Sequence, residues 1–238
     1  MKIAKTTHIF TPIENWQQLP SGEISQRQIQ RRIDNYLPHC FGYHLLKLGP
    51  LSNLLDTTHC PIRHQISCAV NGKHIGLLAD LQQLPLQDSS IDVCVLAHEL
   101  NFSNDPHQLL REIDRVLTLD GILIISGYNP ISLFGLRTFL QPKNLKTARL
   151  FSPSRVLDWL SLLGFEVKQK QHFNFISGEK NNLLSLYIES VGQRYAPYFC
   201  SVYFIVAKKQ CSPMTPIKSS FKFKRTFITR PPLATRHN

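Results

Sequence analysis

No stretch of this 238-residue chain is apolar for the length that a membrane crossing needs, and its opening residues MKIAKTTHIF lack the hydrophobic run of a signal peptide. A soluble cytoplasmic protein is the expectation. Cysteine lacks pattern: the six residues Cys40, Cys60, Cys68, Cys94, Cys200 and Cys211 are scattered, and Cys94 falls inside an apolar run, which argues against a disulfide framework. Cys60, His64 and Cys68, with His59 beside them, could supply soft ligands. Their spacing matches no common zinc pattern, so no metal is expected. Acid is missing from one end altogether. After Glu189 there is none, whereas Arg194, Lys208, Lys209, Lys218, Lys222, Lys224, Arg225, Arg230 and Arg236 supply most of the net charge of +11.

What is present is ordinary globular material, with 42% hydrophobic and 18% charged residues in a chain long enough for one α/β domain with a proper core. From Cys211 onward Pro213, Pro216, Pro231 and Pro232 interrupt the sequence, and no period survives beyond Phe221-Lys222-Phe223-Lys224. Residues 211–238 therefore read as a flexible basic tail. It is either a solvated extension or an arm for nucleic acid or an anionic membrane surface, because clustered cations with interleaved aromatics suit either polyanion.

The densest information lies in DLQQLPLQDSSIDVCVLAHELNFSNDPHQLLREIDRVLTLDGILIISGYNPISLFGLR, from Asp80 to Arg137. Ile91 to Leu96 is nearly continuous apolar sequence, as in a parallel strand covered on both faces. Asp105 stands at an N-cap and Pro106 at the first helical position, where a missing N–H costs nothing. Leu109, Leu110, Ile113, Val116 and Leu117 follow at helical spacing. Gly121 is read as closing that helix, and Ile122 to Ile125 as the next buried strand of a βαβ unit.

This segment resembles the class I S-adenosylmethionine-dependent methyltransferases of the type 11 group. The resemblance implies a doubly wound, Rossmann-like α/β fold with a seven-stranded sheet, and S-adenosylmethionine as cofactor. It covers about residues 40 to 207 and is strong only from Asp80 on. Leu45 to Gly49 look like the first strand, at the place where those enzymes carry an acid in the strand and then a Gly-x-Gly-x-Gly turn. Only Gly49 matches. Lys47 occupies the acidic position, and Leu51 and Asn53 stand where the later glycines would be, which stiffens and fills the turn. The second strand, Gln65 to Val70, also ends without a carboxylate for the ribose.

The third strand, Lys73 to Ala79, keeps its contact. By resemblance Asp80 would accept the adenine amino hydrogen and Leu81 would pack on the adenine face. His98 lies where the cofactor's methionine portion and the acceptor meet; it is the candidate catalytic base, with a satisfied loop histidine as the alternative. Glu99 and Asn101 are weaker candidates.

At the N-terminal side, Ser25 and Gln28 have capping-box spacing, with Ile29, Ile33 and Leu37 as an apolar stripe, so residues 1–40 read as a helical cap that is a lid or a brace. Leu133 to Arg137 are apolar enough for a wall of the site or a covering helix. Ser152-Pro153 opens a further helix, and Phe165 to Phe175 and Tyr198 to Ala207 complete the sheet, with Asn181 to Gly192 between them. The organisation expected is thus a cap over 1–40, a methyltransferase-like domain over 41–210 and the tail. The expected function is methyl transfer to a small-molecule acceptor. Its rival is a non-catalytic protein of the same fold that binds a partner or polyanion.

Overall fold

Asp105 places its carboxylate on the N–H groups of His107 and Gln108, both at 3.1 Å, and so opens a helix whose Leu109, Leu110, Ile113 and Val116 are buried. That helix is one of five among the residues that the computed structural model describes, 13–19, 21–72, 75–132, 148–173 and 200–210. They are α1 (Gly22–Tyr36), α2 (Pro50–Asn53), α3 (Glu99–Phe102), α4 (Pro106–Val116) and α5 (Pro153–Leu162). The strands are β1 (His44–Leu48), β2 (His64–Ala69), β3 (Leu77–Leu78), β4 (Ile91–Ala97), β5 (Leu117–Tyr128), β6 (Phe165–Phe173) and β7 (Val202–Lys209). They form a seven-stranded sheet in the order β3-β2-β1-β4-β5-β7-β6, parallel except where β7 runs against β5 and β6. The expected doubly wound fold is the observed one.

Both faces of this sheet are covered, which is why the strands read as unbroken apolar runs. Leu46, Leu48, Cys94, Leu96, Leu123 and Ile125 face α4 and α5. Their neighbours Leu45, Val93, Val95, Ala97 and Ile124 face α1 and the short 3-10 turn Trp16–Gln18. Ile29 and Ile33 of α1 are essentially inaccessible, so α1 braces a sheet face.

Several boundaries differ from the sequence expectation, each for a local reason. Gly121 does not close α4. The helix ends at Val116, the strand begins at once, and the register moves from Ile91↔Leu117 to Val93↔Ile122, so residues 118–121 bulge with Asp120 at φ +71° and Gly121 within the strand. Ser25 is not a cap. The helix starts at Gly22 behind a left-handed Ser21, and the buried Ser25 hydroxyl bonds the Tyr128 side chain instead. The third strand is only Leu77–Leu78, and the last begins at Val202. The tail, the Leu133 to Arg137 segment and Asn181 to Gly192 lie outside the described residues.

Two hydrogen bonds set the turn after β1. Ser52 Oγ accepts from the Ala97 N–H at 2.8 Å, and the Trp16 indole donates to the Leu51 carbonyl at 3.2 Å. Replacing Ser52 with Ala leaves the buried Ala97 N–H without an acceptor and is expected to cost about 1–3 kcal/mol. Urea unfolding of the variant measures it; a loss within error of zero contradicts this account of the turn.

Candidate cofactor site

Strand order reverses between β1 and β4: β1 is followed in sequence by β2 on one side, whereas β4 and the later strands lie on the other. In open α/β sheets the crevice outside the carboxyl ends of such strands is the ligand position. Here it is bounded by Gly49 after β1, His98 and Glu99 after β4, and Asp80 after β3. The ends of β3 and β4 are separated by the two intervening strands, a span of about 14 Å at the usual strand spacing.

Gly49 adopts φ +87°, a conformation that side chains resist, and it is the N-cap of α2. Its N–H donates to Cys68 O at 2.8 Å, and its carbonyl accepts from Asn53 N at 3.2 Å. The residues that replace the glycines are taken into the fold: Leu51, Ser52 and Asn53 are all buried. Leu51 joins the core, whereas the Asn53 amide has neither its nitrogen nor its oxygen hydrogen-bonded. Lys47, in the expected acidic position, is half-buried; desolvation lowers its pKa, and its favourable Coulomb interaction is with Asp56.

Glu99 lies directly over Gly49. A Cβ built on that glycine would stand 2.1 Å from Glu99 Oε2, so a larger residue would have to displace the carboxylate. Withdrawal from water raises the Glu99 pKa to about 7. His98 is left-handed at φ +57° and has no accessible surface. Its ring stacks on Tyr128 with centroids 4.2 Å apart and meets Trp16 edge-on at 5.4 Å. Neither ring nitrogen has a hydrogen-bond partner within range, and burial pushes its pKa down to about 3, with Asn101 offsetting part of the effect. The imidazole is therefore neutral and roofed by Trp16. Ser126 Oγ and Tyr203 OH, also buried and partnerless, stand at the same end of the sheet, with the Tyr203 hydroxyl against Gly127.

At the far end, Asp80 is exposed and its Oδ1 accepts from Gln82 N at 2.9 Å. Leu81 turns inward to join the core. The structure thus places Gly49 and His98 at the ends of the adjacent strands β1 and β4, with Asp80 past the end of β3 and Leu81 in the core. The residue that sequence reasoning underrated is Glu99, and its signal was available as an acid at the end of a buried strand. The cysteine and histidine group does not assemble: His64 pairs with His44 at 2.7 Å while Cys68 is in the core. Among the described residues no group of three or more potential metal ligands converges.

Residues 58–125 match the methyltransferase domain family, beginning past the Gly49 turn. Over 228 residues the chain is 39% identical to the Escherichia coli (strain K12) protein YafS, described as uncharacterised, covering 92% of this chain and 91% of that one. The chain belongs to the YafS family. Its sheet has the order and the single antiparallel strand of the class I methyltransferase fold. A methyltransferase structure from Archaeoglobus fulgidus superimposes with a TM-score of 0.55 at 19% identity, covering 79% of this chain and 94% of that one. A shorter match, 41% identical over 59 residues, is to a malonyl-[acyl-carrier protein] O-methyltransferase of Laribacter hongkongensis, covering 25% of this chain and 20% of that one.

Toward a cofactor this YafS-family chain presents the exposed Asp80 carboxylate at one end and the unpartnered Asn53 amide and His98 ring near Gly49 at the other. The turn itself offers less bare backbone than a glycine-rich loop.

Glu99 and His98 bend the stability profile in opposite senses. The folded state keeps the Glu99 proton between pH 4.5 and about 7 while the unfolded chain has released it, so this contribution falls as pH rises. His98 refuses a proton from 6.5 down to about 3 while the unfolded chain accepts one, so its contribution rises with pH through that window. Glu99→Gln removes the falling component. Relative to the native protein the variant is expected to be equally stable near about pH 4 and more stable at about pH 8, by about 1.4 kcal/mol per unit of raised pKa. Thermal unfolding across pH checks this, and equal stability at the alkaline end contradicts it.

Proposed function

We propose that this protein transfers a methyl group from S-adenosylmethionine to a small-molecule acceptor, and that it works in the cytoplasm. The observation that carries the reading is the strand reversal, where Gly49 and the partnerless groups of Asn53 and His98, with the Glu99 carboxylate over Gly49, lie at the carboxyl ends of β1 and β4 and Asp80 at that of β3. Among the described residues no helix is long and apolar enough to cross a membrane.

The cofactor supplies an electrophilic methyl group on a sulfonium. The chain's part is positioning and the exclusion of water, so few dedicated catalytic groups are needed. Asp80 holds the base at the end of β3, and Gly49 lets the ligand approach the turn. His98, kept neutral between Trp16 and Tyr128, presents an uncharged nitrogen. It becomes an effective proton acceptor once the Trp16 segment lifts and hydration restores its basicity. The N-terminal segment up to residue 40 acts as a cap, its described part resting on the sheet through α1 and on the turn through Trp16, and residues 211–238 supply basic charge.

The acceptor carries an anionic group in this reading. Arg111, Arg149 and Arg155 all act electrostatically on His107 at the start of α4, and Arg155 stacks over Trp159 at 5.3 Å. The Arg149 backbone exchanges hydrogen bonds with Asn101, two residues from Glu99, which ties the start of this cationic segment to the end of β4. A carrier-linked carboxylate, as in the name of the Laribacter relative, is one acceptor of that type.

One observation favours a second reading, a fold that binds a partner without catalysis: the family match starts only at residue 58, and Leu51 and Asn53 fill the turn. Calorimetric titration separates the two. Methyl transfer requires S-adenosylmethionine and S-adenosylhomocysteine to bind at micromolar strength, and Asp80→Ala to weaken both by about 1–3 kcal/mol. The absence of heat and of thermal shift at millimolar ligand overturns the methyltransferase reading.

A further inference from the structure

We propose that Glu99 is the anchor for a cationic amino group, the α-ammonium of the adenosyl amino acid; this rests on the cofactor reading above. The carboxylate sits on Gly49 and has no hydrogen-bond partner among the described residues, although an ionised carboxylate offers about four acceptor positions. In the turn beneath, the Gly49 N–H is committed to Cys68 O and the Asn53 N–H to Gly49 O, and neither bonds the carboxylate. Lys47 is no counter-ion either, since the acid that acts on it is Asp56. An ionised carboxylate withdrawn from water without a partner is costly, and a ligand that brings both charge and donors removes that cost without protonating it.

The choice of ammonium follows from chemistry. A sulfonium carries charge but no N–H, whereas an ammonium carries charge and three donors and makes charge-assisted hydrogen bonds. A metal ion would need further ligands, and none converge here among the described residues. The neighbouring Asn53 amide, with Nδ2 and Oδ1 both partnerless, can meet the carboxylate end of the same amino acid through its nitrogen. Glu99 then supplies from β4 the negative charge that β1, with Lys47, does not. The constraint on Gly49 also changes meaning: the missing Cβ makes room for a side chain of the protein as well as for ligand.

The test is calorimetric titration of the native protein and Glu99→Gln with three probes: S-adenosylmethionine, S-adenosylhomocysteine and 5′-methylthioadenosine. The last has the nucleoside thioether but no amino acid. The variant is expected to lose about tenfold or more in affinity for the first two alike, as for one charge-assisted hydrogen-bonding group, and to bind methylthioadenosine as the native protein does. That unchanged binding also certifies that the variant is folded. Loss confined to S-adenosylmethionine assigns Glu99 to the sulfonium and overturns the proposal, as does unchanged affinity for all three probes or equal loss for all three. If the native protein binds none of them, the cofactor reading fails and takes this proposal with it. Native binding with an insensitive Glu99→Gln overturns this proposal alone.

Discussion

The turn that ends β1 holds its shape because two other parts of the chain grip it. Ser52 takes the Ala97 N–H at the end of β4, and Leu51 takes the Trp16 indole from the N-terminal segment. Everything in the crevice is referred to that grip. It fixes Gly49 in a positive-φ conformation, ties the ends of β1 and β4 together, and brings the Glu99 carboxylate over the one residue that leaves room for it. Trp16, held in the same bond, then roofs His98.

This arrangement answers a physical problem. A glycine-rich loop offers bare backbone to a ligand, and that is a conformationally expensive element to order. Here a single helical turn of Pro50, Leu51, Ser52 and Asn53, packed into the core, does the ordering. In the function proposed above, what it gives up in backbone donors is offset by side chains: the Glu99 carboxylate, the Asn53 amide and the His98 ring. Such partially satisfied groups lower the stability of the unliganded fold and raise the gain on binding.

Much of the fold was readable because local and tertiary demands coincide. Asp105 and Pro106 open α4 where capping chemistry says they should, and Ser152 does the same for α5 by accepting from Arg155 N. The buried strands announced themselves by runs such as Ile91 to Leu96. Boundaries failed where tertiary pairing overrode a local signal: β5 takes Leu117 directly from the helix, and the Gly121 stop signal is spent on a bulge. The site was readable only in part. Gly49 and His98 end adjacent strands, as the order of strands in the sequence suggested, but the contact of Glu99 with Gly49 joins residues fifty positions apart and depends on strand order. The roof over His98 could not be read either, because nothing local ties Trp16 to a histidine beyond the fourth strand.

The central claim is that the crevice between the ends of β3 and β4 is the cofactor site, with its amino-acid end at Glu99 and Gly49. A crystal structure grown with S-adenosylhomocysteine tests it most directly. The account predicts ligand density along the row from Asp80 to Glu99, with the base beside Asp80 and the amino group on the Glu99 carboxylate. Density lying elsewhere on the molecule, or an amino group bound away from Glu99, would contradict it.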